Sequence, residues 1–553
     1  MNTSSSLFEK YENIVSTALA ALHTRGYYTP YPENPKAYSE DGDTKGKAYI
    51  SAVMNNNFSE LQQGDATAWI GEEISPYLQL GIGVKYPSNN IDTYISNAER
   101  AQKAWSKVPV QHRAGILIEA LDSIKNRFFD ITYATMHTTG QSYMMSFQAS
   151  GPHSNDRALE AIVTGLEELT KYVAEADWVK PMGKFDLKLK KNWKAMPKGV
   201  GLVIGCSTFP IWNTVPALFA NLITGNVSIV KPHPKAILPI AIVIGELQKV
   251  FVENGIDACT VQLAPDTLNN PITKLLAEHN AVKLVDYTGG SEFGNYVESL
   301  NKTVFTEKAG VNSIIIDSVA DLKSVMGNIA FSASLYSGQM CTAPQNIFIP
   351  AAGIQTNEGM VSFDDVVAAL CGAITGLVDN PKAGAPTLGA IQSELTINRV
   401  KHVNELGGKV VLESKSIVNE EFKDARIATP AVIVINESEY NHFNKECFGP
   451  IVFVIKTSST QNSIALAKKL ASEKGAITCG AYTTDNAIMQ TIEDEMNEVF
   501  TPVSFNFTGA AFINSHAAFS DFHVTGGNPA GNASLTTSEF IVRRFVWVGN
   551  RFA

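Results

Sequence analysis

From residue 199 the chain repeats one pattern: a short apolar run, a turn of small residues, then a longer stretch with helical periodicity. "GVGLVIGC" leads into "WNTVPALFANLITG", and "VSIVKPHP" precedes "AILPIAIVIGELQKVFVENG". "CTVQLAP" precedes "LNNPITKLLAEH", and "AVKLVDYTGG" precedes "SEFGNYVESLN". Runs this apolar fit strands covered on both faces, and helices between them make the crossovers of a parallel, doubly wound sheet. A second α/β stretch runs from about 310 to 520, so the fold class is α/β with two such sheets.

The flanks read differently. Residues 1 to about 70 look like a helical cap with loops, from the amphipathic "LFEKYENIVSTALAAL" and the turn-rich "YYTPYPENPKAYSEDGDTKG". From about 91 the pattern is helical through "NDRALEAIVTGLEELTKYVAEA". "KFDLKLKKNWKAMPKG" then alternates as a half-exposed strand pair, and the terminal "EFIVRRFVWVG" reads as one more alternating strand. At 553 residues the chain exceeds one ordinary domain and is expected to hold two or three.

Charge and cysteine usage exclude some functions. A net charge of −10 disfavours nucleic acid, though not a local phosphate pocket. Cysteines 206, 259, 341, 371, 447 and 479 show no CxxC spacing, so neither a disulfide framework nor a metal site is expected, and reduced thiols fit a cytoplasmic setting. The N-terminus lacks the pattern of a secretory signal. The most membrane-like stretch, Val200 to Ile223, is interrupted by Ser207, Thr208, Pro210, Asn213, Pro216 and Asn221, so no membrane association is expected.

Several residues could carry chemistry. No GxGxxG or GxxxxGK[ST] fingerprint follows the first strand. Lys231 ends a buried strand at the edge where ligands bind in such sheets, or is simply a solvated strand-end lysine. "YTGGSEFG" ends a strand with glycines whose amides could hold a phosphate, or makes a plain tight turn. Glu307 closes the apolar run "VFTE", and Cys341 sits in "SGQMCTAP", where small neighbours leave its sulfur open to a ligand and its own N–H could meet an oxyanion. "NKECFGPIVFVI" places Glu446 and Phe448 before another strand.

Together "VKP", "TGGSEFG", Glu307, "GQMCTA" and "ECFGP", in this order and spacing, resemble the aldehyde dehydrogenase superfamily from about residue 90 to the end. "GPHSNDRALEAI" and "AAFSDFHVTGGNPAGNASLT" look like its phenylacetate-degradation, PaaN-type branch. The resemblance implies a fold of four parts. A first segment, 1–70, extends the chain; 71–178 with 198–308 form the dinucleotide-binding domain; 309–520 form the catalytic domain; 179–197 and 535–553 supply oligomerisation strands. A homodimer or homotetramer follows from it.

By the same resemblance Cys341 is the nucleophile and Glu307 the general base. Lys231 would hold the adenosine ribose, Glu446 the nicotinamide ribose, and Phe448 would lie beside the nicotinamide. Gly290, where the family usually has a serine, and Ser291 fall near the pyrophosphate. Relatives that prefer NAD often carry a glutamate three positions after the lysine. Here that place is Pro234, with Lys231, His233 and Lys235 nearby, so NADP is expected, with NAD as the alternative. Phe209, Trp212 and Asn213 would line the substrate tunnel. Thr208 stands where the family usually has an oxyanion-binding asparagine, a donor worth roughly 2.7–4 kcal/mol elsewhere. Either Thr208 substitutes, Asn213 swings in, or the oxyanion rests mainly on the Cys341 amide.

The implied reaction is oxidation of a small aldehyde, possibly coenzyme A-linked and derived from aromatic-compound breakdown, to the acid. A reductase acting on an acyl thioester or acyl phosphate, and a catalytically degenerate relative, are the alternatives.

Overall fold

The computed structural model describes residues 3–516, 518–520 and 538–553. Helices Thr3–Lys10, Glu12–Thr24 and Gly42–Val53 come first, followed by a small antiparallel pair, β1 (Ala68–Ile70) and β2 (Tyr86–Ser88). Five helices then cover Ile91–Thr170, the last being Pro152–Thr170. That helix was expected to run on to 176. It stops at Thr170, and Glu175 already opens β3 (Glu175–Pro181), which pairs antiparallel with the long β4 (Asp186–Pro197). "KYVAEA" favours a helix locally, but pairing with β4 overrides that weak preference.

The first parallel sheet contains β5 (Val200–Ile204), β6 (Val227–Lys231), β7 (Val261–Leu263), β8 (Val282–Thr288) and β9 (Thr303–Glu307). Its order is β7-β6-β5-β8-β9. The order reverses between β5 and β8, and a crevice at such a reversal, outside the carboxyl ends of the strands, is where ligands bind.

The second sheet is built from β10 (Ser313–Ile316), β11 (Asn346–Pro350), β14 (Lys409–Leu412), β15 (Ala431–Asn436), β16 (Ile451–Thr457), β17 (Cys479–Tyr482) and β18 (Val503–Phe505); a hairpin, β12 (Ile354–Thr356) and β13 (Gly359–Val361), lies outside it. It is parallel except for β14, which runs antiparallel on β15. β10 and β11 are fully buried, which explains their unbroken Ile-rich pattern.

"EFIVRRFVWVG" is not one strand: Glu539–Val542 form a helical turn, and β19 (Phe545–Phe552) begins after Arg544. The reason is electrostatic. Arg544 is wholly buried and grips Asp286 of β8 with two hydrogen bonds, 2.8 and 2.7 Å, and also donates to Asn221 Oδ1. That pairing anchors the turn against the first sheet, and β19 then leaves to pair antiparallel with β4. No helix among the described residues is long and apolar enough to cross a membrane.

Candidate active site

The site forms where the carboxyl ends of β5, β8 and β9 face the bend that precedes β11. Glu307 is the last residue of β9 and is buried. Its backbone carbonyl accepts from Gly289 N–H (3.0 Å), which fixes the strand end. Its carboxylate accepts from Asn213 Nδ2 (2.9 Å) and is hydrogen-bonded to the Cys341 thiol. Removal from bulk solvent, followed by the charge of Glu307, holds that thiol well above its ordinary range. The resting sulfur is therefore a protonated thiol with its proton acceptor already in contact.

The bend carrying Cys341 is built by strain and by one staple. Tyr336, Ser337 and Gly338 all take positive φ (51°, 50° and 62°). For tyrosine and serine that conformation is costly, and neighbours hold it. Tyr336 Oη donates to Thr139 O (2.8 Å), and Ser337 Oγ bonds Leu388 O and Ala428 O (both 3.1 Å). At Gly338 any Cβ would fall 2.4 Å from Gly449 O, so glycine is required there. Asn312 supplies the staple. Its Nδ2 donates to Cys341 O (2.7 Å) and Ala343 O (3.0 Å), while its Oδ1 accepts from Ile477 N (3.0 Å) and Thr478 N (3.2 Å).

A cavity of about 530 Å³ opens onto Cys341. Phe209, Trp212, Met145, Met340 and Phe512 give it apolar walls. Asn213 is not among its lining residues. It faces a smaller cavity beside Glu307, because its amide is committed to that carboxylate.

Thr208 is half-buried, its carbonyl accepting from Gln141 Nε2 (2.7 Å) and its hydroxyl donating to the sulfur of Cys206. Cys206 is thus a second thiol in the site, unnoticed in the sequence, with Asn213 Oδ1 3.6 Å from its sulfur and its thiol pushed up to about 11, chiefly by burial.

Lys231, ending β6, is buried with its ammonium 2.6 Å from Asp266 Oδ1, and Glu72 lies close enough to act on its charge. His233 is pushed down to about 4 by burial and by Lys231 and Lys235, so its ring is neutral. The cationic cluster read from the sequence is therefore largely compensated. Asp266 lies beyond β7, 35 residues from Lys231, and only the adjacency of β6 and β7 brings the two together.

Gly290 caps the helix Ser291–Glu298, and a Cβ on it would meet nothing within 4 Å, so open space lies at the helix N-terminus. Glu446 is pushed up to about 7, chiefly by burial, and accepts from the Gly310 N–H. Phe448 is half-buried, its carbonyl accepting from Arg399 Nη1. These groups fit a dinucleotide: carboxylates and a lysine at the β6–β7 edge for a ribose, an open helix N-terminus for a pyrophosphate, and Glu446 on the thiol side.

Comparison with known proteins gives the same picture. The model of the Aldehyde dehydrogenase family matches residues 79–519. A crystal structure of an NAD-dependent aldehyde dehydrogenase from Burkholderia multivorans is 42% identical, covers 99% of this chain and 98% of its own, and superposes with a TM-score of 0.96. A 1-pyrroline-5-carboxylate dehydrogenase, 16% identical over 95% of this chain and 98% of its own, shares the fold at a TM-score of 0.73. An NADP-dependent glyceraldehyde-3-phosphate dehydrogenase from Bacillus halodurans C-125 shares it at 0.67, 18% identical over 88% of this chain and 96% of its own.

Proposed function

The chain belongs to the aldehyde dehydrogenase family as an NAD(P)-dependent enzyme, and from that premise we propose that it releases a free carboxylic acid through a thioester on Cys341, with NAD as the preferred acceptor. The observation that carries this reading is the hydrogen bond from the Cys341 thiol, which lines the 530 Å³ cavity, to Glu307, which borders the smaller cavity beside it.

Glu307 takes the thiol proton as the sulfur adds to the aldehyde carbon and the carbonyl oxygen takes up the π pair, giving the thiohemiacetal as its oxyanion. A bound nicotinamide dinucleotide would supply the hydride acceptor. Loss of the C–H electron pair leaves an acyl thioester on Cys341. Glu307 releases that first proton to solvent and accepts one from water as the water oxygen adds to the acyl carbon; the C–S bond then breaks, and the departing sulfur takes the proton from Glu307 to return the thiol. Asn213 keeps the Glu307 carboxylate aimed through both steps. The cavity's apolar walls limit stray water around the thioester. The direct contact of this base with the thiol favours hydrolysis over transfer to coenzyme A, and hence oxidation over the reductase alternative.

Preference for NAD rests on Asp266. A carboxylate at the ribose edge accepts hydroxyl hydrogens and repels a 2′-phosphate, and here it also occupies the lysine that would otherwise attract one. It replaces the carboxylate missing at Pro234, and the Burkholderia relative is described as NAD-dependent.

A coenzyme A-linked semialdehyde from aromatic degradation remains our substrate proposal, supported by "GPHSNDRALEAI"; most of "AAFSDFHVTGGNPAGNASLT" lies outside the described residues. We also propose a homo-oligomer built through the β19-β4-β3 sheet, which exposes Val179, Leu187, Val546 and Val548. Six cysteines, none of them in a disulfide, fit a reducing, cytoplasmic compartment.

The test is reduced-dinucleotide absorbance across aliphatic, aromatic and coenzyme A-linked aldehydes with NAD and NADP. Wild type is expected to turn over with a preference for NAD and Cys341→Ala to be inert; equal rates in the two would overturn the reading.

A further inference from the structure

The N-terminal segment reaches the same cavity as the nucleophile. Glu33, Cys341, His153 and His516 all border it. The stretch that carries Glu33 is held in place: Thr29 Oγ1 donates to Asp156 Oδ1 (2.6 Å), Tyr31 is buried, and Tyr38 packs edge-on against Phe128 and Phe147. Glu33 Oε1 lies 2.9 Å from His153 Nε2. The ring of His153 stacks on His516, centroids 4.1 Å apart and planes within 11°.

His516 is the unusual member. Both of its ring nitrogens are buried without a hydrogen bond among the described residues, the nearest charged oxygen being Asp156 Oδ2 at 3.5 Å. A neutral imidazole carries one N–H and one lone pair, and burying both unpaired is unfavourable unless something arrives to meet them. The ring borders the cavity while its nitrogens are covered, so a bound molecule meets one of them as the ring turns toward it.

We propose that Glu33, His153 and His516 form a specificity station in the substrate cavity, where His516 hydrogen-bonds a neutral polar group, a hydroxyl or an amide, on the tail of the aldehyde. A hydroxyl or amide can donate to the ring's lone pair or accept from its N–H, so it suits whichever of the two nitrogens it meets. A carboxylate tail is disfavoured by the Glu33 carboxylate beside it. The extension, whose role sequence alone left open, thereby becomes part of substrate selection. This inference rests on the cavity being the aldehyde's.

The test uses the full chain and two aldehydes of equal size, 6-hydroxyhexanal and heptanal, which differ by a hydroxyl in place of a methyl. The readout is the ratio of their kcat/KM values. Wild type is expected to favour the hydroxyaldehyde about tenfold or more, the ratio to collapse toward one in His516→Phe, and Glu33→Gln to lower it less. Glu33→Gln, on a half-exposed side chain, decides the matter if His516→Phe does not fold. Turnover of both aldehydes with no preference in wild type, or with a preference the variants leave unchanged, overturns the station alone. Absence of turnover with every aldehyde and either dinucleotide overturns the dehydrogenase reading and this inference with it.

Discussion

The bend after β5 and the bend before β11 each bring a cysteine toward Glu307. At the first, Cys206 receives hydrogen bonds from Thr208 and faces the Asn213 oxygen; its thiol is pushed up to about 11. At the second, Cys341 touches the Glu307 carboxylate, lines the large cavity, and hangs on Asn312. Burial raises both thiols, so a perturbed pKa does not single out the nucleophile. A proton acceptor in contact and a path for the carbonyl do.

The comparison breaks most sharply at the sulfurs themselves. Cys341→Ala is expected to cost at least about 10³-fold in kcat/KM, while Cys206→Ala stays near wild type in rate. Similar losses in both variants would make the two bends equivalent and the account wrong. Glu307→Gln keeps the shape but removes the acceptor, and a loss of about 10²–10⁴-fold is expected. Its pH profile sharpens the point. Because the folded thiol titrates above its ordinary range, the wild-type rate at low aldehyde climbs from neutral toward alkaline pH; Glu307→Gln removes a charge that raises the thiol, so its climb begins at lower pH.

Asn312→Ala comes next. It orphans two part-buried carbonyls and two N–H groups around the bend, each a cost of about 1–3 kcal/mol where fully buried and less where water recovers the bond. Reduced thermal stability together with a lower kcat is the expected pair of readouts. The smallest effect is on the cofactor. Asp266→Asn should raise the affinity for NADP relative to NAD several-fold, measured by quenching of protein fluorescence without any aldehyde. Glu446, pushed up to about 7, should make NAD binding weaken as pH falls below 7, a trend that Glu446→Gln removes.

Much of this was legible in the sequence where chemistry and spacing are local. The strand–turn–helix repeat gave both parallel sheets, and Cys341, Glu307, Lys231 and Glu446 stand at strand ends or bends that short motifs mark. What was hidden depends on chain segments that meet only in the fold. Lys231 reads as a free cation until β7 lays Asp266 against it. Asn312 reads as an ordinary polar residue before a strand until the bend 29 residues later returns to its amide. Glu33 and His516, almost the whole chain apart, meet in one cavity. The helix expected to 176 and the strand expected from 539 failed for a related reason: pairing with β4 and the burial of Arg544 outweighed local preference.

The central claim is most directly tested by alkylation with iodoacetamide followed by peptide mapping at neutral pH, in wild type and Glu307→Gln. Cys341, which lines the large cavity, is expected to be modified first among the six cysteines in wild type, and faster still in the variant, where the Glu307 charge no longer raises its thiol. Labelling of Cys206 ahead of Cys341, or an unchanged Cys341 rate without Glu307, would contradict it.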